Sequence, residues 1–231
     1  MPPIVQKLIT VAVLAGGLIL VFSGCRPPPG QVACWHAEHN PQDSVGANDG
    51  SLEKGTTYDT GTRGQAFNFT TIGDAVSAPT QGLPSGTADR TLACWVYIRS
   101  FPNTPNGESE AFFVGYGNFG GHGQTYQLGA LADHTLFFSP WGNALFGPKV
   151  TTGEWHHVAA SNTGSRVVLY LDGAEVAAGN FSFNTPPVTR LRIGNVEASR
   201  TVRQTLGLID EVAVYNRALT PAEIQRLSKE K

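Results

Sequence analysis

Three cysteines, one methionine and a charged fraction of 15% leave this 231-residue chain little material for several chemistries. The formal net charge is -2 at pH 7 and the lysines and arginines are scattered. That lacks the electrostatic footprint of a nucleic-acid surface, so DNA and RNA are excluded as expected partners. No Gly-rich phosphate loop, nucleophile elbow or Cys-His pair is recognisable. Past residue 30 no long helical period occurs. What is present is 41% hydrophobic residues, enough for one sizeable core.

The long apolar stretch stands at the start. "MPPIVQKLITVAVLAGGLILVFSGC" places Lys7 before an uncharged run from Leu8 to Phe22 and then small residues up to Cys25. That is the layout of an export signal. Phe22-Ser23-Gly24-Cys25 resembles the bacterial lipobox, with Phe where Leu is usual. The resemblance implies a signal peptide over 1–24, a lipid on Cys25, and membrane attachment through that lipid. An uncleaved anchor or an ordinary signal is the alternative, although the run is short for a bilayer span of about 20 residues. Residues 25–30 then form a Pro-rich tether and 31–231 the folded module. The implied location is the cell envelope, at the outer membrane if Gram-negative, because Arg26 follows the cysteine. Such a compartment permits disulfides. Cys34 and Cys94, each within "ACW", are expected to pair if their strands are neighbours, and otherwise to be buried thiols.

Beyond the tether, short β-branched and aromatic runs alternate with Gly, Pro, Asn and Asp clusters, which predicts an all-β two-sheet sandwich or jelly roll. In "RVVLYLDGAEVAA", Asp172-Gly173 predicts a tight two-residue hairpin turn. One short helix is expected at the end of the chain, sealing one end of the sandwich. There Thr220 is the N-cap, Pro221 the first helical residue, Glu223 the partner in a capping box, and Leu219 a staple onto Ile224. The order "CWHAEHNPQDSVGANDG…", "TLACWVYI", "EWHHVAAS", "RVVLYLDGAEVA", "LRIGN" and "GLIDEVAVYNRALTPAEIQRL" resembles laminin G-like, concanavalin A-like jelly-roll modules over nearly all of residues 31–227. The resemblance implies the fold. It leaves function open, because jelly rolls host lectins, adhesion modules and glycoside hydrolases.

"LGLIDEVAVYNRAL" reads as a buried strand with faces Leu208/Val212/Val214 and Ile209/Ala213/Tyr215, interrupted by Asp210 and Glu211. A dry carboxylate needs compensation. Related jelly rolls hold a structural calcium with an aspartate of the final strand. By that resemblance Ca2+ is expected at Asp210, with Asp43, Asn48 and the Gly46 carbonyl as further oxygens. An ion pair with Arg192, Arg203 or Arg217, and solvation at a strand end, are the alternatives. Asp49 and Glu211 are expected to be solvated or paired.

Catalysis finds little support. The retaining jelly-roll glucanases carry Glu-x-Asp-x-Glu on one strand; Glu108-Ser109-Glu110 lacks the third acid, so no enzyme activity is expected. His156 and His157 are adjacent on a strand and point to opposite faces, one inward and one to solvent, and His36 with His39 forms no recognisable ligand set. Binding remains. Polysaccharide is the expected partner, with a cell-surface protein as the alternative and an exposed apolar patch as its sign. Trp141, Tyr116, Phe119, His122, Tyr126 and Asn143 are the candidate ligand-binding residues, beside Asn118, Gln124 and Phe146. Trp141, between Pro140 and Gly142, is expected to be exposed, whereas Trp35, Trp95 and Trp155 are expected in the core.

Overall fold

The computed structural model describes residues 28–102, 109–187, 189–196 and 203–230, and the backbone of 12–14 and 17–19. The proposed lipid site Cys25 and the acid Glu108 lie outside the described residues. β1 (Ala12–Leu14) and β2 (Gly17–Ile19) pair as a small hairpin. They are followed by β3 (Gln31–Trp35), β4 (Ser51–Glu53), β5 (Thr57–Thr60), β6 (Gln65–Phe69), β7 (Ala75–Ala78) and β8 (Arg90–Ser100). The middle of the chain supplies β9 (Glu110–Gly117), β10 (Thr125–Leu131), β11 (Thr135–Ser139), β12 (Leu145–Lys149) and β13 (Trp155–Thr163). It closes with β14 (Arg166–Leu171), β15 (Ala174–Asn180), β16 (Arg190–Ile193), β17 (Leu206–Tyr215) and α1 (Pro221–Leu227).

Two antiparallel sheets carry the domain, as the alternation of short apolar runs and turn residues predicts. One has the order β12-β11-β10-β9-β16-β7-β4, the other β15-β14-β13-β8-β17-β6-β5, with β3 also paired to β17. The side chains between them form one core, in which Trp35, Phe67, Phe69, Val96, Phe113, Leu128, Phe138, Leu169, Ile193 and Val212 are buried. Leu171 and Ala174 pair across the β14–β15 turn, where Asp172 and Gly173 have φ of 51° and 83°. Those values are the double positive φ that an Asp-Gly hairpin turn requires.

The terminal helix forms with its capping box, Thr220 accepting from the Glu223 amide while Glu223 reaches back to Thr220. Its position differs from the expectation. Leu219 and Ile224 pack with Cys34, Ala93, Ala159, Tyr170, Ala213 and Tyr215 in a second apolar cluster. These strand residues point away from the core, so α1 covers part of the outer face of the eight-stranded sheet rather than an end of the sandwich. A bidentate pair from Arg217 to Glu223 and a bond from Arg217 to the Pro29 carbonyl hold it there.

Candidate functional site

The Asp210-Glu211 interruption is a β-bulge. Along β17, Asp210 pairs with Trp95 and Ala213 with Ala93, so three steps on β17 match two on β8. Glu211 takes up the extra residue at φ 50°. Ile209, Val212 and Val214 therefore share the core face while Ala213 and Tyr215 face outward, which corrects the alternation read from the sequence. An inserted residue flips every side chain beyond it.

Asp210 is fully buried and compensated in a fourth way, by amides. Its Oδ2 accepts from Thr62 N at 2.9 Å, Thr62 Oγ1 at 2.9 Å and Arg63 N at 3.2 Å, and its Oδ1 accepts from Glu211 N at 2.8 Å. Burial pushes the carboxyl up to about 6 against these donors. None of the three arginines considered pairs with it. Arg192 binds Glu53, Arg203 binds Glu110, and Arg217 binds Glu223.

The residues do not fit the expected calcium site. Asp43 pairs with Trp35 on β3, which in turn pairs Val212 of β17. Two strand spacings, about 9–10 Å, thus separate Asp43 from β17. The Asp43 carboxylate is also taken up, accepting from the amides of Cys34, Val45, Gly46 and Asn48 and from Asn48 Nδ2. N–H groups aimed at both carboxylates present positive charge where a cation would need oxygen. Asn48 Oδ1 is buried without a partner, but one oxygen is far from the six to eight that calcium takes.

No disulfide joins Cys34 and Cys94; both are buried free thiols. β17 lies between β3 and β8, with Ala213 paired to Cys34 on one side and Ala93 on the other. Cys34 faces the outer cluster and Cys94 the core. Strands two spacings apart with sulfurs on opposite faces exceed the roughly 7 Å limit for bridging Cα atoms.

Cys34 instead meets His36, its neighbour at i+2 on the same outer face, with Sγ 3.6 Å from Nε2 and 3.8 Å from Nδ1. Glu211, re-aimed by the bulge, puts both carboxylate oxygens 2.9 Å from His36 Nδ1. The Cys34 sulfur and then Glu211 hold the imidazole pushed up to about 10, while burial raises the Cys34 thiol. A Cys-His pair therefore exists where the sequence reading recognised none. The i, i+2 spacing was its signal, and Glu211, 175 residues away, had no local one. Together with Arg63, Trp95, His157 and Tyr215 the three line an outer-face depression of about 640 Å³.

His156 and His157 do point to opposite faces, yet neither meets solvent. His156 bonds Asp172 at 2.8 Å and Thr151 at 2.7 Å. His157 is 3% exposed, lies edge-on to Trp95, and leaves Nδ1 without a partner. Trp95 is therefore buried on the outer face, whereas Trp155 is half-buried. Burial lowers His157 to about 4.

The two displaced groups act oppositely on stability. The unfolded chain gains a proton at His157 below about 6.5 that the fold refuses until about 4, so stability falls with pH over that window. Asp210 in the fold takes its proton at about 6 and the unfolded chain only near 3.8, so its contribution rises as pH falls between those values. Each is worth about 3 kcal/mol. His157→Gln is accordingly expected to gain about 3 kcal/mol on the native protein between pH 7 and pH 4. Urea unfolding at the two pH values measures it; a pH-independent difference rejects the assignment.

The aromatic candidates separate into two groups. Tyr116 and Tyr126 are core residues, 1% and 0% exposed, because both point between the sheets. Phe119, His122, Trp141 and Asn143 gather at one rim, formed by the loops before β10 and after β11. Phe119 and Trp141 meet edge-on at 6.4 Å, and a Cβ at Gly142 would collide with the His122 ring. Gly123 N donates to the Trp141 carbonyl at 2.9 Å, and Asn118 Nδ2 donates to Gln124 Oε1 at 2.7 Å. Trp141, at φ 70°, is half-buried rather than exposed, because the Arg203 guanidinium lies over its ring at 4.3 Å. Arg203 is held in turn by Glu110 at 3.3 Å, so the remaining member of the weak acidic motif is engaged in an ion pair.

Solved structures share this architecture. Domain 4 of AbnA, a GH43 extracellular arabinanase from Geobacillus stearothermophilus solved with arabinotriose, is 21% identical over 86% of this chain and 98% of its own, with a TM-score of 0.65. Trypanosoma rangeli sialidase, solved as a covalent intermediate with 2,3-difluorosialic acid, is 17% identical over 87% of this chain, with a TM-score of 0.68. The match spans 33% of that sialidase chain. The binding domain of Paraclostridial Mosquitocidal Protein 1 is 14% identical over 86% of this chain and 52% of that one, with a TM-score of 0.65. At these identities the likeness is one of fold. The Laminin_G_3 family model matches residues 69–225, and with the two-sheet architecture this establishes that the chain belongs to the concanavalin A-like lectin/glucanases superfamily.

Proposed function

We propose that this chain is a non-catalytic glycan-binding module held at the cell envelope by a lipid on Cys25. The observation that carries the reading is the rim where Phe119, His122 and Trp141 converge beside Asn118, Gln124 and Asn143. Sugar rings stack on aromatic faces, and amides with an arginine read hydroxyls. The arabinanase domain solved with arabinotriose supports a saccharide as the ligand class. The protein-adhesion reading has less support: among the described residues the exposed large hydrophobics are Leu52, Ile72 and Phe146, and Phe146 on β12 and Leu52 on β4 stand at opposite edges of one sheet.

A glycan array probed with the full chain in mild detergent tests this. Retention on at least one polysaccharide is expected, and Trp141→Ala is expected to weaken it at least about tenfold, equivalent to about 1.4 kcal/mol. An array without signal above background, or undiminished binding by the variant, overturns it. Fatty-acid labelling that persists in Cys25→Ala overturns the anchor.

A further inference from the structure

We propose that Cys34, His36 and Glu211 form a binding site for a transition-metal ion of the zinc type, with its fourth position open to the outer-face depression. Among the described residues these are the one group of three or more His, Cys, Asp or Glu side chains whose ligand atoms all lie within 4.8 Å of one another. The set of one thiolate, one imidazole and one carboxylate is drawn from the ligands zinc takes, at bonds of about 2.0–2.3 Å. Atoms at the corners of such a tetrahedron stand about 3.5 Å apart. Taken through the one imidazole nitrogen that meets both partners, Nδ1, the separations are 3.8 Å to Cys34 Sγ and 2.9 Å to the Glu211 carboxylate oxygens, so small side-chain shifts suffice. Calcium is disfavoured by sulfur and nitrogen donors.

A second, independent observation is the backbone. Glu211 is a non-glycine residue at φ 50° inside a central strand, a conformation that costs about 1–3 kcal/mol and is found where surrounding structure enforces a purpose. What the strain achieves here is the placement of one carboxylate on one imidazole; without the bulge the alternation of β17 would disrupt that meeting. The competing partner of Glu211 is Arg63, at 4.0 Å and half-exposed, so it can move aside at little cost. Beyond the three ligands the depression is lined by Arg63, Trp95, His157 and Tyr215, so the open coordination position gives onto a partly polar surface. Binding releases the thiol and imidazolium protons to solvent.

The test uses the full chain, reduced and metal-free, in mild detergent. Titration with Co2+ is expected to produce a near-ultraviolet thiolate charge-transfer band and tetrahedral visible bands saturating at one equivalent, both erased by Zn2+. Cys34→Ser should remove the charge-transfer band, and Glu211→Gln should weaken binding at least about tenfold, the loss that even outer partners of a metal ligand produce. Cys94→Ser, altered in the core, should keep the band. If Cys34→Ser misfolds by circular dichroism, His36→Gln replaces it, with the same loss of affinity expected. Stoichiometric cobalt without a thiolate band, or a folded Cys34→Ser or His36→Gln chain that binds zinc as the native protein does, overturns the site.

Discussion

Asp43→Ala is expected to destabilise the domain by about 4 kcal/mol, lowering the melting temperature by about 8–16 °C. One carboxylate there accepts five hydrogen bonds, from Cys34 N at 2.9 Å, Val45 N at 3.1 Å, Gly46 N at 2.9 Å, Asn48 N at 3.1 Å and Asn48 Nδ2 at 3.3 Å. Asp43 is 8% exposed and Asn48 fully buried, so water reaches few of the donors that alanine would orphan, at about 1–3 kcal/mol each when dry. The loop also anchors the core, since Trp35 Nε1 donates to the Asn48 carbonyl at 3.0 Å. Asp43→Asn should recover part of the loss, because one oxygen still accepts while its amide hydrogens oppose the remaining donors. The same cradle predicts indifference to calcium. Melting in millimolar Ca2+ should match melting in EGTA, whereas a site at a hundredfold excess of ligand over Kd would add about 2.7 kcal/mol. A loss below about 1 kcal/mol in Asp43→Ala, or a calcium-dependent melting temperature, contradicts this account.

Asp74 follows the same pattern. It is fully buried and accepts from the amides of Gly55, Thr70 and Thr71. Burial alone would raise its carboxyl, but those donors and the Thr71 hydroxyl hold it below the usual range. Asp43, Asp74 and Asp210 thus each fix a loop by gathering N–H groups. Loops carry orphan amides, and a carboxylate with two acceptor oxygens can satisfy several at once.

Legibility in the sequence followed the range of the interaction. The Asp172-Gly173 turn, the Thr220 capping box and the alternation of the strands depend on residues a few positions apart, and all are present. Strand order in a sheet is set by packing between distant segments, so nothing near Cys34 or Cys94 announces that β17 lies between them. The bulge escaped for a related reason: an inserted residue leaves the composition of β17 unchanged while reversing its faces. At the candidate rim, Phe119, His122, Trp141 and Asn143 come together because their loops flank the paired strands β10 and β11 at the same end, whereas the strand positions of Tyr116 and Tyr126 turn both inward. Arg203 over Trp141 joins from a separate loop and had no sequence signal.

Arg90 gave no sequence signal either, and Arg90→Met is expected to cost about 3–5 kcal/mol. The side chain is 0% exposed and, among the described residues, forms no ion pair. Its charge is met by carbonyls, with Nε donating to Ala88 O at 2.9 Å, Nη1 to Pro84 O at 3.0 Å, and Nη2 to Ser85 O at 3.1 Å and Gly86 O at 2.9 Å. Tyr116 Oη accepts from Nη1 at 3.2 Å and donates to the same Pro84 carbonyl at 2.9 Å. The guanidinium carbon lies 5.9, 5.2 and 5.5 Å from the ring centroids of Tyr116, Tyr126 and Phe183, which adds cation-π attraction in a desolvated setting. Methionine fills the volume and leaves the carbonyls of residues 84–88 facing an apolar wall. Arg90→Lys separates charge from geometry. It keeps the cation but has three donors on a single nitrogen, which cannot span the carbonyls served by a planar fork, so at least half of the methionine loss should remain. Denaturant unfolding of the two variants reads both effects. A lysine variant as stable as the native protein shows that charge alone suffices, and a methionine variant within about 1 kcal/mol of native shows that the segment closes without the arginine.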